Sequence, residues 1–244
     1  MLYALDFDGV VIDSMNECLH TSYAALTNLK MSSGEVLPAK PSSEEISLFN
    51  LNRGLVRPSR NYYALWEWIL KSPDQEFSLG NFELFAASFG EVLNQFENVF
   101  HNYRSEELRH NPKSFVEKNP LYVGVKEVWD DLPRPLFIVS TKDEESISLI
   151  LDSHNLSVEG IHGRGSGPKP QTIRRLAESY ATELEDSFFI DDNSQHAIDV
   201  QSIAAKTALA VWGYGPFDDF NGQKLKSFSE VLEFFQPTQE VENS

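Results

Sequence analysis

The sequence has 244 residues, 41% of them hydrophobic, and carries 20 basic side chains against 37 acidic ones, a net charge of −17. That length supplies a large core, or a core plus one inserted subdomain, and the acidity argues against nucleic acid or an anionic membrane surface as a partner. The single cysteine, Cys18, excludes an internal disulfide and fits a reducing compartment. With no basic, hydrophobic leader and no apolar run of bilayer length, a soluble cytoplasmic protein is expected.

The chain opens on an apolar run, Leu2 to Leu5, that stops at Asp6-Phe7-Asp8-Gly9 and resumes as Val10-Val11-Ile12. A short apolar run closed by glycine reads as a buried strand whose carboxyl end carries two acids. Side chains alternate along a strand, so Asp6 and Asp8 point the same way and Phe7 the opposite way. Two like charges that close need a cation between them or a proton on one. Ser14 then suits the N-cap of a helix over Met15 to Leu29. Residues 32–43, with Gly34, Pro38, Pro41 and several serines, read as a loop. From Ser43 to about Arg109 the pattern is helical, and its dense aromatics (Trp66, Trp68, Phe96 and Phe100 among them) suit packing between helices. Asn111-Pro112 and Asn119-Pro120 bound a stretch expected to be irregular.

Beyond Gly124 strands and helices alternate. A short helix covers Val125 to Leu132, and a strand from Pro135 ends at Ser140, with Thr141 next. A helix spans Glu144 to His154, and a brief strand Val158 to His162 leads into the glycine-rich loop 163–168. Helix Pro170 to Tyr180 follows, then a strand from Asp186 ending in Asp191 and Asp192, a helix Ala197 to Ala205, a strand Ala208 to Trp212 and a helix Phe228 to Phe235. This alternation predicts an α/β fold, a Rossmann-like doubly wound parallel sheet covered on both faces. The helical block after the first strand is far longer than a crossover needs. It is therefore expected to be an inserted all-helical domain at 14–118, placed as a lid. The α/β domain takes 1–13 plus 119–235, and 236–244 is expected to be a disordered acidic tail.

The strand ends collect Asp6, Asp8, Ser140, Thr141, Asp191 and Asp192, with Lys169 at the start of a helix. All-oxygen ligation suits Mg²⁺. A lysine beside a hydroxyl and free backbone N–H groups suits a phosphoryl group, and a carboxylate can attack phosphorus to give an aspartyl-phosphate.

These residues resemble the motifs of the haloacid dehalogenase superfamily, in its phosphatase branch with a helical cap of the C1 type. Asp6-Phe7-Asp8-Gly9-Val10 matches the first motif, the apolar strand ending in Ser140 the second, Lys169-Pro170 the third, and Phe188-Phe189-Ile190-Asp191-Asp192 the fourth, all in family order. The resemblance covers about residues 1–215. It implies Asp6 as nucleophile, Asp8 as general acid/base, Ser140 and Thr141 with Lys169 as phosphate-binding residues, and Mg²⁺ held by Asp6, the Asp8 carbonyl and the Asp191–Asp192 pair. Many members carry a further acid where this chain has His196, with Asp199 beyond; His196 reads as a surface histidine. The implied activity is a Mg²⁺-dependent phosphatase on a small phosphorylated metabolite, acting as a monomer or weak dimer. The alternatives are a phosphomutase of the β-phosphoglucomutase type and a non-catalytic phosphoryl-accepting protein. One further expectation concerns the inserted domain, where Arg53, Arg57 and Arg60 form a basic cluster and Pro58 puts Arg57 at a bend. Arg57 is expected to face the substrate when the cap closes.

Overall fold

In the computed structural model the described residues are 1–73, 77–215 and 220–236. The chain divides into two compact units, one made of Met1–Asp13 with Pro120–Ser244, the other of Ser14–Asn119. Of the expected acidic tail, residues 237–244 lie outside the described residues.

Strand β1 (Leu2–Leu5) is buried at every position, as an apolar run covered on both faces must be. The helical unit follows: α1 (Met15–Ser32), α2 (Ser43–Asn52), α3 (Tyr62–Lys71), α4 (Leu79–Ala87), α5 (Val92–His110) and α6 (Pro112–Glu117). Its core is aromatic. Phe49, Tyr62 and Phe100 stack in series at centroid separations of 5.6 Å, and Trp66 lies on Phe49 at 5.1 Å while donating its indole N–H to Ser22 Oγ at 2.9 Å. Two helix starts differ in their chemistry. Ser42 and Glu45 close a reciprocal capping box on α2, whereas Ser14 precedes α1 without a side-chain cap bond. Residues 112–117, expected to be irregular, form α6, because proline is tolerated at the first helical position, where no N–H is required.

The second α/β stretch adds α7 (Val125–Val128), β2 (Leu136–Val139), α8 (Glu144–His154), β3 (Gly160–His162), α9 (Lys169–Ser179), β4 (Ser187–Asp191), α10 (Ser194–Gln201), β5 (Lys206–Ala210), β6 (Gln223–Leu225) and α11 (Glu230–Phe235). The six strands form one sheet in the order β3-β2-β1-β4-β5-β6, every neighbouring pair parallel. One face packs Leu2, Ala4, Phe137, Val139 and Phe189 against Ile173 and Leu176 of α9 and Val200 of α10. On the other, Tyr3, Phe188 and Phe235 form an aromatic cluster at 5.0–6.0 Å. In this order β1 lies where the chain leaves in one direction and returns in the other, and ligands of such sheets bind beyond the carboxyl ends at that point. Leu5 pairs with Ile138 of β2 and Ile190 of β4, so Asp6, Asp191 and, two residues past Ile138, Ser140 lie at the carboxyl end of the sheet. Among the described residues, no helix is long and apolar enough to cross a membrane.

Candidate active site

Asp6 leaves β1 at that edge with its backbone still in the sheet, its N–H donating to the Ile190 carbonyl at 2.8 Å. Its side chain is 6% exposed. Oδ1 accepts from the Phe7 N–H at 2.8 Å, and Oδ2 lies 2.8 Å from Lys169 Nζ. The same ammonium reaches Asp191 Oδ2 at 2.6 Å, so Lys169 bridges the ends of β1 and β4. Lys169 is placed by α9, which starts at this residue with Pro170 in its first turn. Burial pushes the Asp6 carboxyl up, helped by the Asp191 charge and opposed by Lys169 and a hydrogen bond with Ser140. Burial pushes Asp191 the same way, but there the Lys169 and His196 charges win and hold it well below the usual carboxylate range. Lys169 is itself raised: the two carboxylates outweigh the cost of burying its charge.

Asp8 is two residues on, and its Oδ1 lies 3.2 Å from Nζ of Lys142, a lysine with no exposed side-chain surface. After Asp8, Gly9 turns the chain with a φ of +81°, and an added Cβ there would lie 2.2 Å from Asp192 Oδ2. Asp192 therefore lies against the turn that follows Asp8. Gly213, where a Cβ would fall 2.4 Å from Asp192 Cβ and 2.5 Å from the Gly9 carbonyl oxygen, packs on both, and Tyr214 donates its N–H to Oδ2 at 2.8 Å. Tyr214 also donates its hydroxyl to Asp13 Oδ1 at 3.2 Å. The neighbouring Tyr122 phenol is pushed up by burial and by the charges of Asp13 and Asp192.

The structure thus brings Asp6, Asp8, Ser140, Lys169, Asp191 and Asp192 to one edge. Thr141 beside them is exposed. It shares with Ser140, His162, Lys169, His196 and Asp199 the lining of a cavity of about 220 Å³. Arg57 belongs to the helical unit, where its guanidinium pairs with Glu83 of α4 at 3.1 Å; the basic cluster around it forms two 3-10 turns, Arg53–Leu55 and Ser59–Asn61. A larger cavity, of about 650 Å³, lies between α1 and α5 in that unit.

Two residues of this edge carried no expectation of a role. His196, expected at the surface, is only a quarter exposed and turns Nδ1 to within 3.4 Å of Asp191 Oδ2. Asn193 causes this: its side chain accepts from the N–H groups of Gln195 and His196, starting α10 three residues earlier than its apolar pattern suggests. Lys142 is the other. Its lone position two residues past a strand resembles an ordinary loop lysine, and the glycine-rich loop meets its backbone carbonyl.

Asp6, Asp191 and His196 bring ligand atoms within 4.8 Å of one another. Lys169 already bridges both carboxylates of that trio. Among the described residues, Asp6, Asp8, Asp191 and Asp192 gather here with Lys142 and Lys169, an acid-rich edge that a divalent cation suits. Oxygen donors at Asp6, Asp8, Asp191 and Asp192 fit a hard divalent cation.

No family model matches the sequence, and no curated protein is significantly similar to it. Solved structures are similar in fold. One described as a predicted phosphoglycolate phosphatase from Haemophilus somnus superposes with a TM-score of 0.65 at 19% identity, over 96% of this chain and 97% of that one. A haloacid dehalogenase-like family hydrolase from Streptococcus pneumoniae gives 0.63 at 17% identity over 96% and 99%. A predicted phosphatase from Clostridium acetobutylicum gives 0.62 at 17% over 96% and 98%. By superposition, the chain has the fold of the haloacid dehalogenase-like hydrolases.

Proposed function

We propose that the protein is a Mg²⁺-dependent phosphatase that hydrolyses a small phosphomonoester through an aspartyl-phosphate on Asp6. The observation that carries this reading is Asp6 itself: a buried carboxylate at the carboxyl end of the central strand, 2.8 Å from a buried lysine, with a second acid two residues on. Asp6 attacks phosphorus and the ester oxygen leaves. Asp8 donates a proton to that oxygen and afterwards takes one from the water that cleaves the acyl-phosphate. Lys169 neutralises charge on the phosphoryl oxygens and orients Asp6, and Ser140 with the N–H groups of its loop binds the same oxygens. Asp6, the Asp8 carbonyl, Asp191 and Asp192 would hold Mg²⁺, which when bound offsets the negative charge of the phosphoryl group. The names of the fold neighbours, two of them described as predicted phosphatases, support the reaction class.

The test is a panel of phosphorylated metabolites assayed for released phosphate with Mg²⁺ and with EDTA. The reading expects at least one phosphomonoester to be cleaved only when the cation is present. Release that survives exhaustive chelation, or none from any ester, overturns it.

A further inference from the structure

Lys142 is a buried cation with no part in the mechanism above. Its side chain is fully enclosed and its Nζ lies 3.2 Å from Asp8 Oδ1. Enclosing an ammonium is costly unless it is paired, and a carboxylate this side chain meets is that of Asp8. Its backbone is fixed from both directions. Ser140 Oγ accepts the Lys142 N–H at 3.3 Å, and the Lys142 carbonyl accepts the Arg164 N–H at 2.8 Å. The glycine-rich loop closes on the same segment. A Cβ at Gly163 would stand 2.6 Å from the Lys142 carbonyl oxygen, and the Gly163 N–H donates to Glu144 Oε1 at 3.1 Å. Residue 142 thus has one backbone position, reached only because residue 163 lacks a side chain.

We infer that Lys142 is a positioning residue for Asp8: its ammonium holds Oδ1 and leaves Oδ2 to carry the proton that moves to and from the ester oxygen. This deepens the proposed phosphatase reading and rests on it. The two acids at the end of β1 then have separate lysines, Lys169 for the attacking carboxylate and Lys142 for the proton-transferring one. A carboxylic acid hydrogen-bonded through one oxygen loses the rotation that would point its proton away from the leaving group. No bond to Lys142 forms or breaks, and its charge is unchanged through the cycle.

A role confined to Asp8 has a distinctive signature, since proton donation matters for alkoxide leaving groups and little for nitrophenolate. The experiment measures kcat and kcat/KM for wild type, Lys142→Met, Asp8→Asn and the double variant. The esters are p-nitrophenyl phosphate and the alkyl phosphate cleaved fastest in the metabolite panel. Lys142→Met is expected to lower kcat on the alkyl ester on the order of tenfold more than on the nitrophenyl ester. In the Asp8→Asn background the same substitution is expected to add less than about threefold. If Lys142→Met does not fold, Lys142→Arg, which keeps the charge but re-aims it, is expected to show the same leaving-group dependence in weaker form. Equal losses on both esters, or losses that multiply in the double variant, overturn the inference. Should Asp8→Asn itself slow both esters equally, the acid/base assignment of Asp8 fails and the inference falls with it. A leaving-group-dependent Asp8→Asn beside a leaving-group-blind Lys142→Met overturns the inference alone.

Discussion

Both units bury charge, and they balance it differently. In the helical unit Glu17, with no exposed surface, meets Arg104 through two bonds of 2.9 Å, and Thr21 donates its hydroxyl to the same carboxylate at 3.0 Å. Glu67, 3% exposed, lies between Lys30 and Lys71, each at 2.5 Å. Among the described residues, each buried acid there has at least one cation of its own. At the edge of the α/β sheet Asp6 and Asp191 share Lys169, Asp8 meets Lys142, and Asp192 lies against the same turn, accepting the Tyr214 N–H. Balanced pairs hold a structure together, whereas an uncompensated excess of one sign costs stability and is characteristic of sites that bind or react. The contrast predicts that charge removal does opposite things in the two places.

The largest expected effect is on rate. Asp6→Asn should lower turnover by several orders of magnitude, because an amide cannot form the phosphoenzyme. Taking a charge from an acid-rich edge should leave the melting temperature unchanged or raised. A variant that loses activity only in proportion to lost fold would break the contrast. Arg104→Met should do the reverse, destabilising the fold by about 3–5 kcal/mol in urea titrations, since it strands the buried Glu17 carboxylate. Next in size is the cation itself. Mg²⁺ at a hundred times its Kd should add about 2.7 kcal/mol of stability to wild type. Asp192→Asn should need more Mg²⁺ for the same gain, as read by melting temperature against concentration.

The smallest effect is a pH dependence in the helical unit. Burial works to raise the Glu67 carboxyl, but its bonds and charge contact with Lys30 and Lys71 prevail and hold it below its ordinary 4.5. A carboxyl lowered in the folded state adds stability that is present above its unfolded value and is lost as pH falls through the folded one. Wild type should therefore lose stability below about pH 4.5, and Glu67→Gln should lose less over the same interval, measured by urea midpoints between pH 3 and 7.

How much of this was legible in the sequence follows from what is local. Strands β1, β2 and β4 are apolar runs buried on both faces, and α8 runs from Glu144 to His154 as its pattern indicates. The acids at strand ends were legible for the same reason, since their placement needs only strand length and parallel order. β6 was not legible: Gln223 and Lys224 are exposed on an edge strand, and only Leu225 is buried. The two residues that sequence reading passed over at the edge depend on contacts between distant segments. His196 turns inward because Asn193 starts α10 early, and the Lys142 backbone is fixed by residues 163 and 164, which close over its carbonyl. Arg57 illustrates the limit from the other side. Its bend at Pro58 was readable, its pairing with Glu83 was not.

The central claim, that Asp6 takes the phosphoryl group, is tested most directly by trapping it. Protein quenched in acid during turnover of the best substrate and digested with trypsin should carry one phosphoryl group on the peptide Met1 to Lys30. Mass spectrometry should locate it on Asp6, and hydroxylamine should remove it, as it does an acyl-phosphate. Asp6→Asn protein treated identically should carry none. A phosphoryl group on any other residue of a turning-over enzyme, or undiminished labelling of the Asp6→Asn peptide, would contradict the account.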